Sequence, residues 1–429
     1  MKAEHIRKYR TGSFFIFLLS SVFCLSSMGQ YLPDEQPEKS GFSAERLNRI
    51  DAAMNNFVQN GSMPGMVTMV IRHGKIVYFR SFGYKNIEAR KEMTNDAIFR
   101  IASMSKTITS VALMTLYEEG KFLLTDPVSK YIPEFRNQKV MVKSPSSDSI
   151  ILVPVKREIT IRNLLNHTSG ITYGEGAQTA IYRDAGMTVG LTPTNGTIGE
   201  MIRKLGTLPL ISQPGEEFHY GMSTDVLGYL IEVISGKPLD EFLSERIFRP
   251  LKMQDTYFTL PENKFPRMTT LYKKGSDGKL IPATGYFKYP GVQTYFSGGA
   301  GLVSTASDIS LFAQMLLNKG ELNGIRLLSR KTVELMTSNS IGDIMVGDSF
   351  RRNGLGDKFG LGFGIRTERG VFDELESPGI YGWDGAFYTR YWVDPKEDMV
   401  GIFLSQVDNY WAEKIIDKFR VLVYQAIDD

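Results

Sequence analysis

The chain has 429 residues, 42% hydrophobic and 23% charged, with a net charge of +3, the proportions of an ordinary globular protein and not of a disordered or fibrous one. That length allows one large domain or two to three average ones, and it suffices to bury a sizeable core. Cys24 is the single cysteine and there are four histidines, so beyond residue 24 a disulfide, a thiol nucleophile and a zinc–thiolate site are excluded, and a histidine-rich metal centre is argued against.

Lys2, Arg7, Lys8 and Arg10 make a basic front, Phe14 to Leu25 a short apolar run, and Ser27-Met28-Gly29 a small-residue cleavage site. This is the pattern of a signal peptide over residues 1–29, cut after Gly29, and it predicts a periplasmic or secreted protein. The apolar run falls short of the roughly 20 residues a membrane span needs, and no other stretch reaches it, so no integral span is expected. Phe23, bulky where a small residue is needed, argues against lipidation of Cys24. Losing four bases and Glu4 turns 50 basic and 47 acidic side chains into 46 of each. That balance gives no support to a nucleic-acid partner.

Residues 30–41 are polar and contain prolines, and read as a linker to a domain over 42–429. Ser43 caps a predicted helix with Leu47, Ile50, Ala53, Met54 and Phe57 on one face. Met66 to Arg72 and Lys75 to Phe82 read as a hairpin turning at His73-Gly74, which makes His73 a turn residue. From about Phe99 to Leu316 the pattern is mainly helical, with a small hairpin around Gly275 to Gly278. Strands return at Gly360 to Thr367, Ala386 to Val393 and Met399 to Gln406. A helix over Tyr410 to Ile427 closes the chain with Trp411, Ile415, Ile416, Phe419, Leu422 and Val423 on a face. The predicted class is α/β of the α+β type: one antiparallel sheet built from both chain ends, flanked by the terminal helices, with an all-helical subdomain between and a cleft where they meet.

Ser103-Met104-Ser105-Lys106 opens an apolar helix. Residues three apart share a helical face, so the hydroxyl and the amine can meet. A serine needs a base, and a lysine serves if desolvation by neighbours such as Ile101, Ala102, Ile108 and Val111 lowers its pKa towards neutrality. The helix N-terminus disfavours the protonated amine and stabilises an oxyanion. The spacing alone is weak evidence, because it recurs at Ser276 to Lys279, where it is a solvated turn. Ser105 is a competing hydroxyl without a lysine three residues on.

The wider context is a resemblance. Phe99 to Lys106, Leu164 to Gly170 (LLNHTSG), Phe218 to Met222 running into Thr224 to Gly228, Ser297 to Leu302 (SGGAGL) and Trp392 to Asp398 resemble class C β-lactamases and related esterases of the penicillin-recognising fold. The likeness spans roughly residues 43–427 and is nearest the esterase-type branch. It implies a β-lactamase/penicillin-binding-protein-like fold, Ser103 as the acylated serine, Lys106 as its partner and Tyr220 as the tyrosine of the second motif, able to pass a proton to the leaving group. The N–H groups of Ser103 and Ala386 would form the oxyanion hole. His167 and His219 read as structural, His167 as a hydrogen-bonded turn residue.

Two departures bear on substrate. Met222 replaces the asparagine of the second motif, and Trp383-Asp384-Gly385 stands where Lys-Thr-Gly is usual. The charge that anchors a β-lactam or D-Ala-D-Ala carboxylate is missing; one charged hydrogen bond is worth about 1.5–3 kcal/mol. Met222, Trp383, Asp384 and Gly385 are thus expected to line the substrate site, Trp383 at the cleft edge and Asp384 repelling anions if it faces inward. The expected function is hydrolysis of a small ester or amide through an acyl-enzyme, most simply a carboxylic ester, without cofactor or metal. A β-lactamase, a D,D-carboxypeptidase or a D-amino-acid peptidase, with a cell-wall-related substrate, is the alternative enzyme. A non-catalytic cell-wall-binding relative is the alternative from another class, against which the intact Ser103, Lys106 and Tyr220 set argues.

Overall fold

A computed structural model of the protein describes residues 32–286, 291, 293–347, 357–367, 375–408 and 414–429, with Met1. The expected signal segment, Cys24 included, and Tyr410 and Trp411 lie outside the described residues. The expected linker is held in place from Leu32 onward: Leu32 is buried, Asp34 bridges Ile76, and Glu35 N–H donates to the Ile76 carbonyl.

Ser43 Oγ accepts the Arg46 N–H at 3.3 Å and starts α1 (Ala44–Gln59), which buries Leu47, Ile50, Met54 and Phe57. β1 (Gly65–Arg72) and β2 (Lys75–Asn86) form the first hairpin, and β3 (Lys91–Glu92) pairs with β2. The turn puts His73 and Gly74 at φ 53° and 72°. α2 (Ser105–Glu118) begins the helical region, which also contains α3 (Ser223–Ser235) and α4 (Ala306–Leu317), and a short helix over Arg330–Met336 follows before the late strands. A small hairpin of Tyr272–Lys274 with Leu280–Pro282 lies where the sequence predicts one. A second hairpin, Lys139–Lys143 with Ile150–Pro154, interrupts the stretch expected to be mainly helical.

The late strands are β4 (Lys358–Phe359), β5 (Gly364–Ile365), β6 (Tyr381–Gly385), β7 (Thr389–Asp394) and β8 (Met399–Ser405), followed by helix α5 (Ile415–Tyr424). Together with the first strands they make one antiparallel sheet in the order β4-β5-β6-β7-β8-β1-β2-β3. The two chain ends join where Met66 lies opposite Ser405. The single strand expected over Gly360 to Thr367 is instead two short strands around a turn, with Gly362 at φ 95°. The strand expected from Ala386 starts at Thr389, because Tyr388, at φ 66°, closes a tight turn after β6.

Alternation along the central strands divides the interior. Val67, Met69, Ile71, Ile402 and Leu404 face the larger core shared with α2 and α4. Met66, Val70 and Phe403 face a second core closed by α1 and α5, where Phe419 packs. With both faces covered, β1 and β8 are buried at every residue. No helix of the described residues is long and apolar enough to cross a membrane.

Candidate active site

The segment Phe99–Arg100 pairs with Val303–Ser304 and delivers the chain to the start of α2. There Ala102 takes a left-handed φ of 43°, a conformation an L-residue adopts at a cost. It opens a 3-10 turn, Ala102–Met104, that leaves Ser103 half-buried while both its neighbours are buried. Ser105 is fully buried and its Oγ accepts the Leu302 N–H at 3.2 Å, so it does not compete with Ser103 for an incoming molecule.

Lys106 lies one helical turn from Ser103 with its side chain 1% exposed. Its Nζ donates to the Gly299 carbonyl at 2.7 Å, to Tyr173 Oη at 2.8 Å and to Ser103 Oγ at 3.2 Å. The Gly299 carbonyl can only accept, whereas the Tyr173 and Ser103 hydroxyls can accept or donate, so the charge state is set by the surrounding electrostatics. These correct the expectation of a lysine neutral at rest. Burial does pull its pKa down, but the Tyr173 and Tyr220 oxygens and the Asp225 carboxylate outweigh it and hold the group above its ordinary value. Burial in turn pushes the Tyr173 phenol up, so it stays protonated.

Tyr220 is half-buried between three rings: His167 at 4.8 Å, Trp383 at 5.3 Å and Tyr173 at 5.6 Å between centroids. Lys106 Nζ sits 4.8 Å from its ring centre. Trp383 Nε1–H donates to Tyr220 Oη at 2.9 Å. The indole is 4% exposed and stands edge-on to Phe359, so it forms the wall behind Tyr220 more than an open cleft edge. Trp383→Phe keeps that wall and removes the N–H. It is expected to lower kcat about tenfold while changing stability by no more than about 1.5 kcal/mol, read by steady-state kinetics beside a thermal melt.

The other expected substrate residues divide. Asp384 does not face the cleft: alternation along β6 turns it to the opposite side of the sheet from Trp383. There it accepts Arg390 Nε–H at 2.7 Å and Nη2–H at 2.5 Å, with Asp417 on the far side of the same guanidinium. Burial raises its pKa to about 6 against the pull of Arg390. Its repulsion of an anionic substrate is withdrawn with that placement. Met222 is 1% exposed at the head of α3, part of the large core, and offers a substrate no surface. Gly385 serves close approach: a Cβ there would lie 2.2 Å from the Ile101 carbonyl and 2.2 Å from Thr389 Oγ1. Ala386, half-buried, packs on the cluster that contains Ala102, so its peptide and that of Ser103 are brought to neighbouring segments.

His167 is buried at φ 57°, and desolvation, helped by Lys106, pulls its pKa well down, leaving a neutral imidazole. Its Nδ1 has no hydrogen-bond partner among the described residues, so the bonds that make it a structural turn residue are those of its backbone. The backbone does the holding: the His167 carbonyl accepts the His219 N–H at 2.8 Å, which pins the segment carrying Tyr220. His219 itself turns to Glu217, 3.0 Å away. Tyr173 and the Gly299 carbonyl are not legible in the sequence as partners of Lys106. Both stand in loops far along the chain, where no periodicity points at the serine.

A family model described as Beta-lactamase matches residues 50–425. The chain belongs to the beta-lactamase family. Protein Rv1367c of Mycobacterium tuberculosis is 32% identical over 366 residues, covering 84% of this chain and 90% of that one. Esterase EstB of Burkholderia gladioli is 31% identical over 287 residues, 62% of this chain and 69% of the relative. Among solved structures, EstCE1, titled a hydrolase with promiscuous acyltransferase activity, superposes with a TM-score of 0.76 at 24% identity, over 89% of this chain and 99% of its own. The fold of this beta-lactamase family member is thus the mixed architecture expected, and the protein is a serine hydrolase with an esterase among its relatives.

Proposed function

We propose that the protein hydrolyses carboxylic esters through an acyl-enzyme on Ser103. The observation that carries this reading is Trp383: an indole committed to Tyr220 occupies the place where a lysine would anchor a substrate carboxylate. The likeness to esterase EstB points the same way.

In the reactive form, the group formed by Ser103, Lys106 and Tyr220 has lost one proton, a vacancy that belongs to the coupled set and not to one residue. Ser103 Oγ bonds to the ester carbonyl carbon, and its proton fills the vacancy. The tetrahedral oxyanion is met by the Ser103 and Ala386 N–H groups. The bond from carbon to the alcohol oxygen then breaks, and Tyr220 passes the proton to the departing alkoxide, leaving acyl-Ser103. Water attacks the acyl carbon along the reverse path and releases the acid.

The test is a side-by-side steady-state comparison at equal ionic strength. kcat/KM for a short-chain nitrophenyl ester should exceed that for a chromogenic cephalosporin by at least about tenfold, equivalent to roughly 1.4 kcal/mol in the transition state. Efficient cephalosporin turnover would replace the ester reading with the β-lactamase one. The basic, apolar and small-residue order of residues 1–29 further supports export, checked by the N-terminal sequence of the protein recovered from its host.

A further inference from the structure

Lys106 is a fully buried ammonium whose three hydrogen-bond partners are a carbonyl, a phenol and a hydroxyl, none of them an anion. A buried charge without a counter-charge is strongly destabilising. The compensating group lies one peptide away. Asp225, on α3 and 1% exposed, accepts the Ser297 hydroxyl at 2.6 Å and the Gly299 N–H at 3.3 Å on Oδ1. The Gly299 carbonyl is the acceptor 2.7 Å from Lys106 Nζ.

The loop is built to permit this approach. A Cβ on Gly299 would lie 2.6 Å from Asp225 Oδ2, and one on Gly298 would lie 2.9 Å from the Thr224 carbonyl. Asp225 Oδ2 has no hydrogen-bond partner among the described residues. A carboxylate that served only to tie the 297–301 loop to α3 would gain by using both oxygens. Burial pushes the Asp225 pKa up, and Lys106, the Ser297 hydroxyl and the Gly299 N–H pull against it, so its charge and that of Lys106 depend on each other. The titratable groups facing Lys106 are Tyr173, Tyr220, Asp225 and the neutral His167; those facing Asp225 are Lys106, Tyr173 and Tyr295. Asp225 is the one carboxylate among the groups facing Lys106.

We propose that Asp225 is a positioning residue of the acyl-transfer site, the buried counter-charge of Lys106, acting by its charge and through the Gly299 peptide without touching substrate. The inference rests on the reading of Ser103 and Lys106 as the reacting pair. The arrangement has a cost as well as a benefit: the anion keeps the lysine charged and folded in, and so moves the loss of the working proton to higher pH.

The readout is the second-order rate of fluorophosphonate addition to Ser103 against pH, for the unmodified protein, Asp225→Asn and Ser297→Ala. The unmodified rate should climb with pH on the alkaline side. Asp225→Asn, which keeps shape and loses charge, should move that rising limb to lower pH by about one unit or more, a tenfold change in the proton equilibrium. Ser297→Ala keeps the carboxylate and should leave the limb within about 0.3 unit. An Asp225→Asn limb at the unmodified position, whatever its height, reduces Asp225 to packing and overturns the proposal. Absence of labelling in the unmodified protein at every pH overturns the Ser103 reading instead. If Asp225→Asn alone does not fold, the double variant with Lys106→Met decides. Recovery of the fold supports a charge pair, because neither member is then left alone. An equally unfolded double variant overturns it.

Discussion

Ser103→Ala is expected to abolish fluorophosphonate labelling and to lower ester hydrolysis by about 10⁴–10⁶-fold, the scale of losing a nucleophile that works as part of a unit. Peptide mapping of the unmodified protein should place the adduct on Ser103 alone. Ser105, the nearest rival, has no exposed surface and commits its oxygen to the Leu302 N–H. An adduct on Ser105, or folded protein that takes no label, would remove the catalytic assignment. The substitution itself is small, and Ser103 is half-buried at a turn, so the melt should barely move.

Lys106→Arg should cost nearly as much, about 10³-fold or more in kcat/KM. The resting ammonium makes this a sharper test than a neutral lysine would, since arginine preserves the charge beside Asp225 and fails only at proton transfer and in geometry. A guanidinium does not release a proton in the working range, and its planar fork does not reproduce three bonds diverging from one nitrogen to Gly299, Tyr173 and Ser103. Measuring kcat/KM beside circular dichroism separates chemistry from folding. Near-normal turnover in a folded Lys106→Arg variant would take proton transfer away from this residue.

The features legible in the sequence are local ones. The three-residue spacing of Ser103 and Lys106 is a fact of helix geometry, and the nearly continuous apolar runs at both ends, such as Met66–Ile71 and Met399–Leu404, mark strands covered on both faces. The features hidden from it are set by distance along the chain. The charge state of Lys106 depends on Tyr173, Asp225 and Gly299, which come from three loops or helices and share no period with it. The side to which Asp384 points is open in the sequence, which does not fix the bounds of β6; once Tyr381–Gly385 is extended, Trp383 and Asp384 must point to opposite faces. Met222 looks like a substrate contact because of the residue it replaces, yet a thioether at the head of an apolar helix is better satisfied inside the core.

The seam between β1 and β8 sets a condition on when the protein can work at all. Met66 and Ser405 are neighbours across that seam, although more than three hundred residues separate them in synthesis. The glycine strand that presses on the serine turn, β6, belongs to the same late segment, through Gly385 against Ile101. Contacts of such long sequence separation form slowly, because the entropy of closing the chain is lost before the contacts stabilise it. A growing or shortened chain that has made Ser103 and Lys106 but not yet residues 381–405 therefore carries the reactive pair without the wall that aligns it. Activity is expected as a single late event, when the last strands join the first, and a chain cut before residue 381 is expected to be silent instead of partly active, which an ester assay of the truncated protein checks.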